Sequence, residues 1–251
     1  GGAANVALVY SSDSLTLDND TAWQSLLGVE EILLRGQFLF DVVFTDDLSS
    51  LHKYDLAVVP NQRCLSADVC AQILDFVTAG GRALVTGDSG SHDEHLRLRR
   101  ASPLACLRES RDAVWLDGCP EAVRPPAGPA LRVPRPAGFD QVVQAVGSLL
   151  GDRRPIRVSA PEEVFVEGYR LPDGRRTFHF VNYANHRMVE GSTAMVSQPA
   201  PGATWHTPEE KTALEVPLTE GGRAVSLPDW QTYGVLVLAA GDAEGKRAGG
   251  T

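Results

Sequence analysis

Long apolar runs are missing from these 251 residues. The longest, 234–240, is strand-sized, far short of the roughly 20 residues that span a bilayer as a helix, so no membrane partner is expected. Positive charge is scarce as well: 23 Lys and Arg stand against 32 Asp and Glu, a formal charge of −9. The only basic run is the short 97–100 stretch. An acidic chain repels a phosphate backbone, which argues against nucleic acid as a partner. The four cysteines, at 64, 70, 106 and 119, make no C-x-x-C pair, which removes zinc-knuckle and thioredoxin-type readings. No cofactor and no metal are expected, and Cys70 reads as a small core residue. There is no initiator Met and no segment with the charged start and apolar middle of a signal peptide. A reduced, cytoplasmic protein is the default, with localisation otherwise open. The start, Gly1-Gly2-Ala3-Ala4, reads as a cut end, and the native protein is expected to continue upstream. No internal repeat is evident.

What is present is ordinary globular composition, 43% hydrophobic and 22% charged, in a chain long enough for one large core or two modest ones. The first half alternates strand and helix signals. Strands are expected at 5–10, 41–44, 54–60 and 82–86. A helix over 21–35 places Trp23, Leu26, Leu27, Leu33 and Leu34 on one face. The next helix is capped by Ser66, carries Val69, Cys70, Ile73, Leu74 and Val77 as a buried stripe, and ends at Gly80-Gly81. Residues 88–138 look irregular, and the prolines near 118–138 make part of them an arm. A last helix spans 139–150, with Val142, Val143, Val146 and Leu149 on one face. Strands alternating with helices imply a parallel sheet with right-handed crossovers.

After Gly151 the period becomes two. Val164, Val166 and Gly168 alternate with Phe165, Glu167 and Tyr169, and Pro172-Asp173-Gly174 makes a hairpin to a strand at 177–182. Further strands are expected at 193–197, 212–217, 223–227 and 234–239. The fold class is therefore α/β: a three-layer domain over 1–150, then a small antiparallel β-sandwich over 151–251 with a disordered tail from about 241.

Four segments, VALVYSSDS from Val6, FDVVFTDDL from Phe40, YDLAVVPNQRCLS from Tyr54 and FVTAGGRALVTGDSGSHDE from Phe76, resemble in this order the trimerisation domain of β-galactosidase-like glycoside hydrolases (family 42 and relatives). The segment VFVEGYRLPDGRRTFHFVNYA from Val164 is similar to the small β-domain that follows in those enzymes. The resemblance runs from Asn5 to Ala240. It implies a flavodoxin-like fold akin to class I glutamine amidotransferases and a homotrimer. It also implies a catalytic (β/α)8 barrel, bearing two glutamates, outside this chain, so that no catalytic residue is expected within it.

The candidate sites are weighed against that reading. Gly87-Asp88-Ser89-Gly90 follows a strand where an amidotransferase-like fold puts its nucleophile. A nucleophile elbow needs G-x-S-x-G, however, and the second flank here is Ser91. The alternative is a hydrolase or amidotransferase-like enzyme using Ser89 with His92 or His95 as base; the bland reading is a structural turn. His92-Asp93-Glu94-His95 lacks the H-E-x-x-H zinc spacing and reads as a solvated loop. Ser11, Asn61, Gln62 and Ser89 should converge at the carboxyl ends of the strands, where open parallel sheets bind ligands, and with Asp88 and Asp93 they are the small-molecule pocket candidates. Glu30, Glu31, Glu162 and Glu163 are adjacent pairs whose side chains diverge and read as surface acids rather than glycosidase carboxylates. In the β-domain His179, Asn182, Tyr183, Trp205, Trp230 and Tyr233 read as packing residues. A carbohydrate-binding module is the remaining alternative, and it requires Trp205 and Trp230 to be exposed.

Overall fold

A computed structural model of the chain describes residues 1–123, 134–184, 186–210 and 213–241. The chain divides into two units, Asn5–Arg153 and a second made of Gly1–Ala4 with Arg154–Thr251. The first four residues thus fall with the β-rich unit, not with the α/β unit they precede.

In the α/β unit, β1 (Val6–Tyr10) is followed by α1 (Ser12–Leu17) and α2 (Asn19–Arg35). Then come β2 (Phe40–Phe44), a 3-10 segment at Thr45–Lys53, β3 (Leu56–Pro60), α3 (Ala67–Thr78) and β4 (Arg82–Thr86). A second 3-10 segment at Pro103–Glu109 leads to β5 (Ala113–Leu116), and α4 (Phe139–Leu150) completes the unit. The strands are all parallel, in the order β2-β1-β3-β4-β5, the flavodoxin-like arrangement. The middles of the inner strands are apolar because helices cover both their faces. Ala7, Val9, Val59 and Val85 pack with Ile73 and Phe76 of α3. On the other face Val6, Leu8, Val58 and Leu84 pack with Leu26 and Val29 of α2 and Val142 and Val146 of α4.

α3 forms as its sequence dictates. The Ser66 hydroxyl accepts from the Val69 amide at 3.1 Å, and Gly80, with φ of +98°, stops the helix in a conformation that suits glycine. α2 differs from expectation. Its buried residues are Ala22, Ser25, Leu26, Gly28, Val29, Ile32 and Leu33, while Trp23 is exposed and Leu27 and Leu34 are half-buried. Small residues line the inner face because chain passes close there. At Gly28 an added Cβ would lie 2.7 Å from the Glu121 carbonyl carbon, and the Ala122 amide donates to the Gln24 carbonyl. The segment expected to be irregular, 88–138, contains β5. Of the arm expected near 118–138, residues 124–133 lie outside the described residues.

The β unit carries β6 (Ile156–Ser159), β7 (Val164–Arg170), β8 (Arg176–Asn182), β9 (Thr193–Val196) and β10 (Ala203–His206). It continues with β11 (Leu214–Glu215), β12 (Leu218–Thr219), β13 (Ala224–Ser226) and β14 (Tyr233–Leu238). They make two antiparallel sheets, β11-β10-β14-β8-β7 and β12-β13-β9-β6. β6 and β10 were not foreseen. The strand expected at 212–217 breaks at Val216-Pro217 into β11 and β12, and its first residue lies outside the described residues, as does the tail beyond Gly241. The core is aromatic: Phe180 packs against Trp205 and Trp230, with the two indole rings 5.9 Å apart. Gly234 is required there, because a Cβ would enter the Trp205 ring. Gly1–Ala4 extend the β7 edge, with the Ala3 amide donating to the Gly168 carbonyl and the Arg170 amide to that of Gly1, each at 2.9 Å. Among the described residues no helix is long and apolar enough to cross a membrane.

Candidate functional site

Where the parallel strands end, the loops that follow them are bound together by side chains. Gln62, after β3, accepts from the Ser11 amide at 2.9 Å and donates to the Pro60 carbonyl at 2.9 Å. Ser11, after β1, donates to the Cys64 carbonyl at 2.7 Å, and Ser14 donates to the same oxygen. Ser89, after β4, accepts from the Gln62 amide at 3.0 Å and donates to the Thr86 carbonyl at 2.8 Å. The Ser89 carbonyl in turn accepts from Ser102. Asn61 takes a left-handed φ of +50°, which asparagine tolerates. Its Oδ1 accepts from the Asp88 amide at 2.9 Å, and its Nδ2 donates to Ser25.

The sequence therefore located this edge correctly as the meeting point of Ser11, Asn61, Gln62 and Ser89. The structure spends their polar atoms on the protein itself. Ser11, Gln62 and Ser89 are fully buried, and Asn61 nearly so. The nucleophile reading needs an imidazole on the Ser89 hydroxyl, whereas that hydroxyl has only backbone partners, with the Val59 carbonyl at 3.3 Å as the third. The His92 ring bonds the Ser91 hydroxyl instead, at 2.9 Å, and His95 is exposed. Asp88 is exposed at the turn. Asp93 organises its own loop: its carboxylate accepts from the Arg97 and His95 amides, and the Arg97 amide bond first of all holds it below the usual carboxylate range. Among the described residues no three His, Cys, Asp or Glu side chains are placed to hold a metal ion. Burial first of all pushes the Cys119 thiol up, beside the Ser25 hydroxyl at 2.6 Å, so it is a poor nucleophile.

The same end of the sheet also has an open rim. Tyr10, at the end of β1, stacks on Trp23 at 6.0 Å and on Phe44, at the end of β2, at 4.9 Å. Phe44 is 51% exposed, and Val42, two residues before it on the same edge strand, is 41% exposed. The 91–99 loop is braced by Arg99, which donates to the Gly90 and His92 carbonyls, yet it presents Leu98 at 76% exposure and Leu96 with a left-handed φ of +61°. A bulky residue in that region stores strain, a feature that collects at binding surfaces. Sequence reasoning missed this rim, because it assigned Trp23 to the core.

A cleft of about 460 Å3 opens at the opposite, amino-terminal end of β3 and β4, lined by Leu48, His52, Tyr54, Asp55, Gln72 and Phe76 among others. Burial, and then the 3.0 Å bond to Asp41, push the Tyr54 phenol up to about 12. No sequence motif marked it.

Glu30 and Glu31 are half-buried rather than free on the surface: Glu31 is committed to Arg35 at 3.0 Å, and burial raises the Glu30 carboxyl. In the β unit Trp205 and Trp230 are 1% and 2% exposed, which overturns the carbohydrate-binding alternative built on them: both rings form the core. Asn182 is buried and donates to the Arg187 and Gln231 carbonyls. His179 bonds the Tyr233 hydroxyl, and Tyr183 is exposed beside Phe165.

Known proteins can be compared with this arrangement. No curated protein is similar enough in sequence to count as a match. Among solved structures, α-L-fucosidase isoenzyme 2 from Paenibacillus thiaminolyticus superposes with a TM-score of 0.63 at 14% identity, over 96% of this chain and 49% of that one. The β-galactosidase from Bacillus circulans sp. alkalophilus gives 0.62 at 14% identity, over 94% and 41%. That from Rahnella sp. R3 gives 0.58 at 17%, over 93% and 40%. The likeness extends to the fold, and the chain spans about half the length of these enzymes or less. Within the α/β unit, residues 31–116 match the family model of the β-galactosidase trimerisation domain.

Proposed function

We infer that this chain is the ancillary, self-associating part of a glycoside hydrolase of the β-galactosidase type, working as a homotrimer and without chemistry of its own. The catalytic (β/α)8 barrel of that enzyme lies outside these residues, and the α/β unit rests on an amidotransferase-like scaffold that has kept its shape rather than its nucleophile. The observation that carries this reading is the match of residues 31–116 to a trimerisation domain. Support comes from the carboxyl edge. The turn at Ser89 is filled and satisfied from within, while apolar side chains at the rim stay exposed, as a surface meant for another protein requires.

Light scattering across a concentration series tests it, and a native mass of three chains is the expected result. A single-chain mass at every concentration would remove self-association from the account and leave only the fold.

A further inference from the structure

The trimer reading does not say which surfaces meet. A three-fold ring is closed by heterologous contacts, so each copy must carry two different, mutually complementary patches. The charge distribution supplies such a pair. Residues 1–52 contain eight acids (Asp13, Asp18, Asp20, Glu30, Glu31, Asp41, Asp46 and Asp47) and one basic residue, Arg35. From His95 to Arg111 the balance inverts to five arginines and one acid, Glu109.

Part of each set lies beside exposed apolar side chains at the carboxyl end of the sheet. Of the acids, Asp46 and Glu30 border the Tyr10–Trp23–Phe44 cluster. Asp18 and Glu31 instead pair with Arg63 and Arg35, and Asp41 bonds Tyr54 at the other end. Of the arginines, Arg108 and Arg111 pair with Asp117 and Asp112. Ser12 bonds Asp46 at 3.1 Å, and Glu30 is near enough to Tyr10 for its charge to help raise the phenol. The basic set borders Leu96 and Leu98, where Arg97 and Arg100 are exposed and make no salt bridge among the described residues. Two acidic patches would repel each other, and so would two arginine tips, while tip against patch attracts. The tip suits an anchor: a loop held by Asp93 and Arg99 that presents Leu98, with Leu96 exposed beside it.

We propose that the trimer closes head to tail, the Leu96–Arg100 tip of one copy seated on the Tyr10–Trp23–Phe44 patch of the next. This rests on the self-association reading and narrows it to named surfaces. Leu98 enters the aromatic cluster, and Arg97 and Arg100 meet the acids around it. Both surfaces lie at one end of the sheet, since Glu94 and His95 are close enough to Asp13 to act on its carboxyl. A three-fold axis near that end brings each tip to its neighbour's patch.

The experiment uses the full chain, a tip variant (R97E with L98D) and a patch variant (F44D), each checked by circular dichroism and thermal melting for retained fold. All the changed side chains are exposed, so folding is expected to survive. Wild type is expected to be a trimer by light scattering, and each variant alone a single chain, with a dissociation constant raised at least tenfold. An equimolar mixture of the two variants is expected to form a species of two copies and stop there, because only one intact junction remains. A trimeric wild type with variants that stay trimeric, or a mixture that behaves as the sum of its parts, overturns the head-to-tail pairing and leaves self-association standing. A wild type that is a single chain throughout overturns both.

Discussion

The carboxyl end of the parallel sheet holds two regions that the sequence treats alike and the structure does not. Beneath the loops, Ser11, Gln62 and Ser89 are polar, buried and bonded mainly to backbone. At the rim, Trp23, Phe44 and Leu98 are apolar and exposed, around a Tyr10 that is partly buried against the core. Residue types that usually signal chemistry are here the interior of a joint, and residue types that usually signal a core are left exposed. Position decides. A serine is reactive only where a base and a substrate can reach it, and a leucine serves the core only where neighbours cover it.

The comparison breaks most visibly in the buried region. Gln62→Ala should cost about 3 kcal/mol of folding stability in urea titration, because the Ser11 amide and the Pro60 carbonyl are both left unpaired in a dry site. A cost near zero would mean that water reaches this edge and that a ligand could too. Ser89→Ala should cost about 1–2 kcal/mol by the same measurement, with no change in native mass, and wild-type Ser89 should stay unlabelled by a serine-directed phosphonate probe. Labelling at Ser89 would reopen the nucleophile reading.

At the rim the effects on folding should be small. Trp23→Ala should stay within about 0.5–1 kcal/mol of wild type, far below the ~3–5 kcal/mol of a buried tryptophan, while weakening self-association. A large loss would show that Trp23 belongs to the core after all. The smallest effect concerns Asp13, whose carboxyl is raised by burial and then by Glu94 and Asp46. A raised carboxyl makes ionisation a cost to the folded state. That cost is fully present above the folded pKa and fades as pH falls towards the unfolded value near 3.8. Asp13→Asn should therefore melt slightly higher than wild type at pH 7 in dilute solution, with the gap closing under acid. A gap that widens under acid would reverse the assignment.

Legibility followed local determinacy. β1, β3 and β4 were readable because all-apolar runs between polar turns have few other uses, and α3 because its cap, stripe and terminal glycines agree. β5 was missed: Ala113–Leu116 is only four residues long and half-exposed, so its identity comes from pairing with β4. The face of α2 was misread because large residues were taken for the buried ones, whereas close passage of residues 121–122 demands Gly28 and its small neighbours inside. The convergence of Ser11, Asn61, Gln62 and Ser89 followed from topology alone. What Ser89 does there did not, since its partners Val59 and Thr86 are carbonyls delivered by two strands. Trp205 and Trp230 carried no burial signal of their own; Gly234, whose missing side chain makes room for an indole ring, was the available clue.

The bridge between residues 5 and 153 has a practical consequence. Asn5 donates to the Arg153 carbonyl at 3.0 Å and to Asp55 at 3.2 Å, so the α/β unit begins and ends at one point. It is built as an insert with its two ends clasped together, and Gly1–Ala4 belong to the host it interrupts. A truncation at Asn5, which looks harmless in the sequence, would strip the residues that bond along the β7 edge and leave that edge open to pairing with other chains.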